Sequence, residues 1–551
     1  MKAFKELLGK ELLLALIAVF AGCSGSSSHP DGADVLSDAG PDGGESDLAT
    51  DGENMPADDG HDGGGGEFND PQDGGGDRTY DGGFDAGADD FCDADAGDDG
   101  DASSDGGADG DVVDGDGNGD GDGDGDGLLP LPRVQLVEVP GGNGYLRQQG
   151  QSAPFVPRGA NYVRLVYDHS YAVVPYHSTF SPALYDPQAA ESALRQMHRD
   201  GYNVVRVFID SGDWDRTNGI NGTWDAAGLD GAYLDAFADF VRRATEQRVY
   251  VLPIVGRTPI NAHYRSLAAP ADPNLVGWNA MYLHAGERTA KIAYVTDFIN
   301  ALRARIGQAL LSTIIAYELE NEMHANGDYP PFCCDPAPPY TCANNPAFAC
   351  TDKVVRTADG LSYDMSDPAQ RQQAWDANAV SYANQLTAAI QSVDPEALVT
   401  VGMFTYRAVG RSGPQGLLPI PGPGEEPRFP PRPSSLSRYS NLSFMDIHIY
   451  DADANWTLDG DLASIEWNSV DPKRPLWMGE FGAFKNRYPA LTDAAWAMRD
   501  LQVSSCARGF SAWLFWTYDT AEQPELWTLV DSNGVINGVL APVARPDPCT
   551  P

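Results

Sequence analysis

The 551-residue chain is poor in positive charge: 36 Lys and Arg stand against 80 Asp and Glu, a formal net charge of −44. Phosphate binding needs clustered Lys and Arg, so this balance excludes nucleic acid as a partner. Histidines are few as well. The nine present form neither a His-x-His nor an HExxH spacing, which leaves a metal-dependent hydrolase without a ligand set. No glycine-rich phosphate loop follows any predicted strand, so a nucleotide site has no basis either. Neither a metal nor a cofactor is expected.

The shortage of basic residues is local. Between Asp31 and Gly127 there are 33 Asp and Glu and one Arg. That tract is mainly Asp, Gly, Ala and Ser, and it cannot bury enough apolar surface to outweigh the entropy of ordering. Residues 23–131 therefore read as a disordered linker that like charges keep extended. Asp114, Asp116, Asn118 and Asp120 imitate the start of a calcium loop, but Gly125 stands where a bidentate Glu is required.

Long apolar runs are also missing. The N-terminal run from Leu12 to Phe20 is too short for a bilayer-spanning helix. Lys2, Lys5 and Lys10 precede it, and Ala21, Gly22 and Cys23 follow. Residues 1–22 resemble a bacterial lipoprotein signal peptide, which implies lipidation at Cys23 and export to the outer membrane or cell surface. An ordinary cleaved signal, with secretion, is the alternative. In the lipoprotein reading the membrane is touched only through the N-terminal lipid anchor.

Cysteine is scarce but even in number within the remainder. Cys333, Cys334, Cys342 and Cys350 crowd one Pro-rich segment, and Cys506 and Cys549 stand near the C-terminus. In an exported protein these are disulfide candidates, with Cys506 and Cys549 placed to tie down the tail. A zinc site is the rival for the cluster of four, which lacks paired CxxC knuckles.

From residue 132 to 551 the pattern becomes globular. Short β-rich runs fall near residues 155–162, 203–210, 249–255, 313–322, 398–404, 444–450, 476–482 and 509–516. Helical patterns cover 190–199, 233–247, 288–306, 370–393, 462–468 and 493–508. The connection 406–441 is rich in Pro and Gly and shows no helix. Eight strands alternating with helices predict an α/β fold, a (β/α)8 TIM barrel, with an open doubly wound sheet as the alternative. Chemistry in a barrel gathers at the C-terminal ends of the strands.

Those ends are polar. The fourth strand reads Tyr317-Glu318-Leu319-Glu320-Asn321-Glu322, and its alternation places Glu318, Glu320 and Glu322 on one face. Of the three, Glu322 lies furthest along and follows Asn321. The seventh reads Trp477-Met478-Gly479-Glu480-Phe481-Gly482, delivering one carboxylate out of an apolar run. Two carboxyl groups at one barrel mouth are what glycosidic cleavage needs, one to protonate the leaving oxygen and one to attack the anomeric carbon.

Asn321-Glu322 and Gly479-Glu480-Phe481-Gly482 resemble the acid/base and nucleophile signatures of clan A glycoside hydrolases, most closely family 5. Arg206, His448 with Tyr450, and Trp516 match that family's polar and aromatic positions on strands two, six and eight. The resemblance implies Glu322 as acid/base and Glu480 as nucleophile. Arg206 would hold Glu480 ionised and Tyr450 would donate to the same carboxylate. Asn321 would bind the sugar 2-hydroxyl, and Trp516 would lie under the sugar. Val255-Gly256-Arg257 departs from the histidine frequent after strand three, and Met323 from the proline common after the acid/base.

The implied function is a retaining, endo-acting hydrolase of β-glucan or β-mannan, acting as a monomer. A non-catalytic, surface carbohydrate-binding lipoprotein is the alternative. Trp214, Trp278, Tyr282, Trp456 and Trp527 fall in predicted loops, where aromatic rings stack on sugars or pack.

Overall fold

A computed structural model describes residues 127–550 apart from 140–143, 167–175, 213–218, 336, 339, 343–344, 346, 414–425, 467–473 and 521–522. The signal segment, Cys23, the calcium-like run and Trp214 lie outside the described residues.

Eight parallel strands form the centre: β1 (Arg158–Asn161), β2 (Val204–Phe208), β3 (Tyr250–Ile254), β4 (Tyr317–Glu318), β5 (Val399–Thr400 and Gly402–Phe404), β6 (Met445–Asp451), β7 (Leu476–Ala483) and β8 (Phe510–Phe515). Each pairs with its sequence neighbour, and β8 returns to β1 through Trp513 opposite Arg158. The ring closes at β5. Its first segment pairs with β4 (Val399 opposite Tyr317) and its second with β6 (Gly402 opposite Asp446). This is the (β/α)8 barrel expected from the alternation, and all eight strands fall within the predicted runs, save that β6 and β7 each extend one residue further.

Helices follow the strands, several of them opened by a side-chain cap. Asp186 accepts from the Gln188 and Ala189 N–H groups at the start of α1 (Pro187–Arg199), and Asp230 accepts from Tyr233 at the start of α2 (Gly231–Glu246). Helix α3 spans Ala285–Leu310 and α4 spans Pro368–Val393. The connection read as helix-free contains α5 (Pro433–Tyr439), which begins with proline at its first turn. Then come α6 (Leu458–Ser464), α7 (Leu491–Cys506) and α8 (Asp531–Leu540).

Two apolar layers result. One lies between strands and helices and includes Phe237, Phe298, Trp375 and Met478. The other fills the barrel at the strands' N-terminal ends, where Val204, Tyr250, Leu252, Phe444 and Trp477 meet. Val134 and Leu146 join this second layer from an antiparallel hairpin, Val134–Val137 with Tyr145–Gln148, and Leu131 joins it from just before the hairpin. The hairpin seals the floor, so the open end of the barrel is the C-terminal one. Cys333 pairs with Cys342, Cys334 with Cys350 and Cys506 with Cys549.

Candidate active site

Arg206 sits at the centre of the open end with no solvent exposure. Its Nε and Nη2 donate to the two oxygens of Glu318 at 2.7 and 2.6 Å. Nη1 donates to Glu480 Oε1 at 2.6 Å and to Asn161 Oδ1 at 2.8 Å, and Nη2 also reaches Asn321 Oδ1 at 2.7 Å. One guanidinium therefore ties together β1, β2, β7 and both ends of the segment that carries Glu322. Burial lowers the Arg206 pKa, but Glu318 and Glu480 outweigh it and hold the cation far above its ordinary range.

Glu480 projects from within β7 and is almost enclosed, 4% exposed. Tyr450 on β6 donates to its Oε2 at 2.8 Å, and His448 Nδ1 stands 3.4 Å from the same oxygen. Burial pushes the Glu480 carboxyl up, against the pull of His448, Arg206 and Tyr450. The arginine that pulls Glu480 down is shared with Glu318. Tyr450 is driven well above its ordinary value by burial and by Glu480, so its hydroxyl remains a donor.

Glu322 is more open, its side chain 27% exposed. His448 Nδ1 lies 3.1 Å from Glu322 Oε1, between the two carboxylates. An oxygen of Glu322, a ring nitrogen of His448 and an oxygen of Glu480 all fall within 4.8 Å of one another. Burial pushes the His448 pKa down to about 4, so the ring bridges the pair as a neutral group.

The three carboxylates predicted on one face part company. Strand pairing of β4 ends at Glu318, and the chain then bends: the Leu319 N–H donates to Thr400, and Glu320 and Met323 bond to Gly402. Glu318 thus turns inward to Arg206, and Glu320 accepts from Lys291 at 3.3 Å and from Tyr382, on helices α3 and α4. Glu322 alone reaches the mouth. Gly402 is required here, since a Cβ would lie 2.0 Å from the Asn321 carbonyl and 2.5 Å from Glu318 Oε1.

Trp516 is 4% exposed and packs with Val163, Leu526, Phe208 and Tyr450 at the edge of the site. Trp278 stacks on His324 with ring centroids 4.6 Å apart. Tyr282 is fully buried in a short helix, Ala280–Leu283, rather than in an open loop. Trp456 and Trp527 donate their indole N–H groups to Asp461 and to the Tyr488 carbonyl.

Three participants escaped the sequence reading. Asn161, besides accepting from Arg206, donates to the Gly479 and Phe515 carbonyls and so braces β7 and β8. Asp446 accepts from the Gly479 N–H at 2.7 Å, and burial together with Glu318 pushes its pKa well above the ordinary carboxylate range. Arg428 stands 3.8 Å from Glu322 Oε2. Asn161 carried a signal, as a polar residue at the C-terminal end of a barrel strand.

Among solved structures, an exo-β-1,4-mannosidase from Opitutaceae bacterium strain TAV5 is 16% identical, covering 74% of this chain and 62% of its own, with a TM-score of 0.46. This chain thus spans less than two thirds of that enzyme. An endo-1,4-β-mannanase from Rhizomucor miehei is 16% identical over 75% of this chain and 100% of its own, TM-score 0.47. A β-mannanase from the blue mussel Mytilus edulis is 15% identical over 76% and 98%, TM-score 0.42. No curated protein matches the chain. Residues 167–522 match the family model described as cellulase, glycosyl hydrolase family 5, and the chain accordingly belongs to that family of glycosidases.

Proposed function

We propose that the protein is a retaining, endo-acting hydrolase of β-glucan or β-mannan, with Glu480 as nucleophile and Glu322 as acid/base. The observation that carries this reading is the approach of the two carboxyl groups, with oxygens within 4.8 Å across His448. Retaining glycosidases hold their carboxyl groups about 5–5.5 Å apart, whereas inverting enzymes need about 6.5–9.5 Å to admit a water.

Glu322 gives its proton to the glycosidic oxygen while Glu480 attacks the anomeric carbon, forming a glycosyl ester. Arg206 and Tyr450 both reach Glu480, so its carboxylate is held in place for the attack by donors that need no reorganisation as the ester forms. Asn321 has its oxygen committed to Arg206, which leaves its NH2 to donate to the sugar 2-hydroxyl. Ester formation removes a negative neighbour from Glu322, whose pKa then falls and suits it to act as base for water.

Following the anomeric proton by NMR early in hydrolysis tests the stereochemistry; an inverted first product rules out this assignment. Glu480→Ala and Glu322→Ala are expected to abolish turnover of the natural polysaccharide. We place the enzyme outside the cell on an acidic tether lipidated at Cys23, and the mass of the mature N-terminal peptide decides this: an unmodified Cys23 refutes the anchor.

A further inference from the structure

The two oxygens of Glu322 face different surroundings. Oε1 lies on the nucleophile's side, 3.1 Å from His448 Nδ1. Oε2 faces the other way, 3.8 Å from Arg428 Nη1. Arg428 is far downstream in the chain, yet its position is built. Arg428 and Phe429 pair antiparallel with Asn326 and Ala325, the segment that leaves the barrel immediately after Glu322. Asn279 pins that segment by donating to the Asn326 carbonyl and accepting from the Asn326 N–H, both at 2.8 Å. The guanidinium stands over Phe404 with its carbon 5.0 Å from the ring centroid. Its Nε and Nη2 are taken by the two oxygens of Glu426, at 2.8 and 2.9 Å. Nη1 is the nitrogen turned to Glu322.

We infer that Arg428 is a positioning residue for the acid/base: it holds the Glu322 carboxylate ionised and aimed during the second half-reaction, and Glu426 limits how much of its charge Glu322 feels. This rests on the assignment of Glu322 and Glu480 made above.

In the glycosyl ester Glu480 is neutral. Among the described residues, the groups around Glu322 then include His448 and Tyr450 from β6, His324 with Nδ1 2.7 Å from the Glu322 carbonyl, the esterified Glu480, and the Glu426–Arg428 pair. Both histidines are held low by burial, at about 4. Arg206 is engaged with Glu318 and the Glu480 side, and Arg428 stands 3.8 Å from Glu322 Oε2. Water then bonds through its oxygen to the anomeric carbon and passes a proton to Glu322. The bond from that carbon to Glu480 breaks, and its electron pair returns to the carboxylate. A cation beside Glu322 favours the ionised base this step needs. The same cation opposes protonation in the first half-reaction, and its pairing with Glu426 keeps that effect small.

The test uses the full chain with a dinitrophenyl β-cellobioside or β-mannobioside, whichever it turns over, so that the second half-reaction limits kcat. The acid limb of kcat then reports Glu322 in the ester, with rate lost as pH falls through its pKa. Arg428→Gln is expected to move that limb up by roughly half a unit to one unit, since both groups are partly exposed and screened. Glu426→Gln is expected to move it down, because Arg428 is then relieved of its own counter-charge. Arg428→Lys restores most of the wild-type position. Opposite shifts from the two members of one ion pair are not produced by a merely structural contact. If Arg428→Gln fails to fold, Glu426→Gln and Arg428→Lys carry the measurement. Limbs unmoved in folded variants overturn the inference while leaving the assignment of the two glutamates intact. Turnover surviving in Glu480→Ala overturns that assignment instead.

Discussion

Replacing Arg206 by Met probes whether the mouth of the barrel is one electrostatic unit. The guanidinium is wholly buried and donates to Glu318, Glu480, Asn161 and Asn321. Methionine fills much of the same volume but donates nothing, so Glu318 and Glu480 are left beside Asp446 without their cation. Removing one partner of a buried pair costs about 3–5 kcal/mol, because the other charge stays buried and uncompensated. A barrel of roughly 400 residues at about 2.1 cal/mol/K per residue has an unfolding entropy near 0.8 kcal/mol/K. The cost therefore lowers Tm by about 4–6 °C at neutral pH. It shrinks in acid, where the orphaned carboxylates neutralise themselves by taking up protons. Adding Glu318→Gln removes one orphan, so the double variant should be more stable than the sum of the singles by about 1–3 kcal/mol. Calorimetry of the wild type, both singles and the double, at neutral and acid pH, reads all of this. An Arg206→Met variant within 1–2 °C of wild type, roughly what its residual error allows, or strictly additive singles, refutes the argument.

Burial holds His324 and His448 near a pKa of about 4, against an ordinary value of 6.5. The unfolded chain takes up protons in that window and the folded one does not, so stability present above pH 6.5 is lost as pH falls toward 4. Thermal unfolding across this range should show a shallower acid slope in His324→Asn and His448→Asn, and an unchanged slope contradicts the cause. Gly479→Ala would place a Cβ 2.2 Å from both oxygens of Asp446. It is expected to destabilise by about 1–3 kcal/mol and, by displacing the neighbouring Glu480, to lower kcat at least about tenfold; wild-type kinetics would show that β7 yields freely. The Cys506–Cys549 bridge closes a separation of 43 residues. Cys506→Ser with Cys549→Ser should cost about 4 kcal/mol by loop closure, read as a lower denaturant midpoint with the activity of the folded enzyme retained.

The barrel was legible because its strands alternate with helices in a pattern that only a few layer arrangements satisfy. That carboxylates 322 and 480 stand at the barrel mouth was legible because one follows the fourth strand and the other lies in the C-terminal half of the seventh. What escaped depends on partners distant in sequence. Alternation put Glu320 beside Glu318, but β4 stops pairing where Gly402 intrudes, and the bend sends Glu320 to Lys291 and Tyr382. Helix α5 was hidden in a Pro-rich stretch although Pro433 occupies its first turn, where proline is tolerated. Helix α8 was hidden by Gly534 and by its left-handed start at Ser532 and Asn533. Arg428 carries no local signal, since its nearness to Glu322 comes from a two-residue ladder between distant segments.

The central claim is that Glu480 becomes covalently bonded to the sugar. Incubation with 2-deoxy-2-fluoro-β-glucosyl and β-mannosyl fluorides of disaccharide length, followed by peptide mass mapping, tests it most directly. One fluorosugar per chain, attached at Glu480 and released as turnover resumes, is the predicted result. Attachment at another residue, or steady hydrolysis with no ester formed on any carboxylate, contradicts the account.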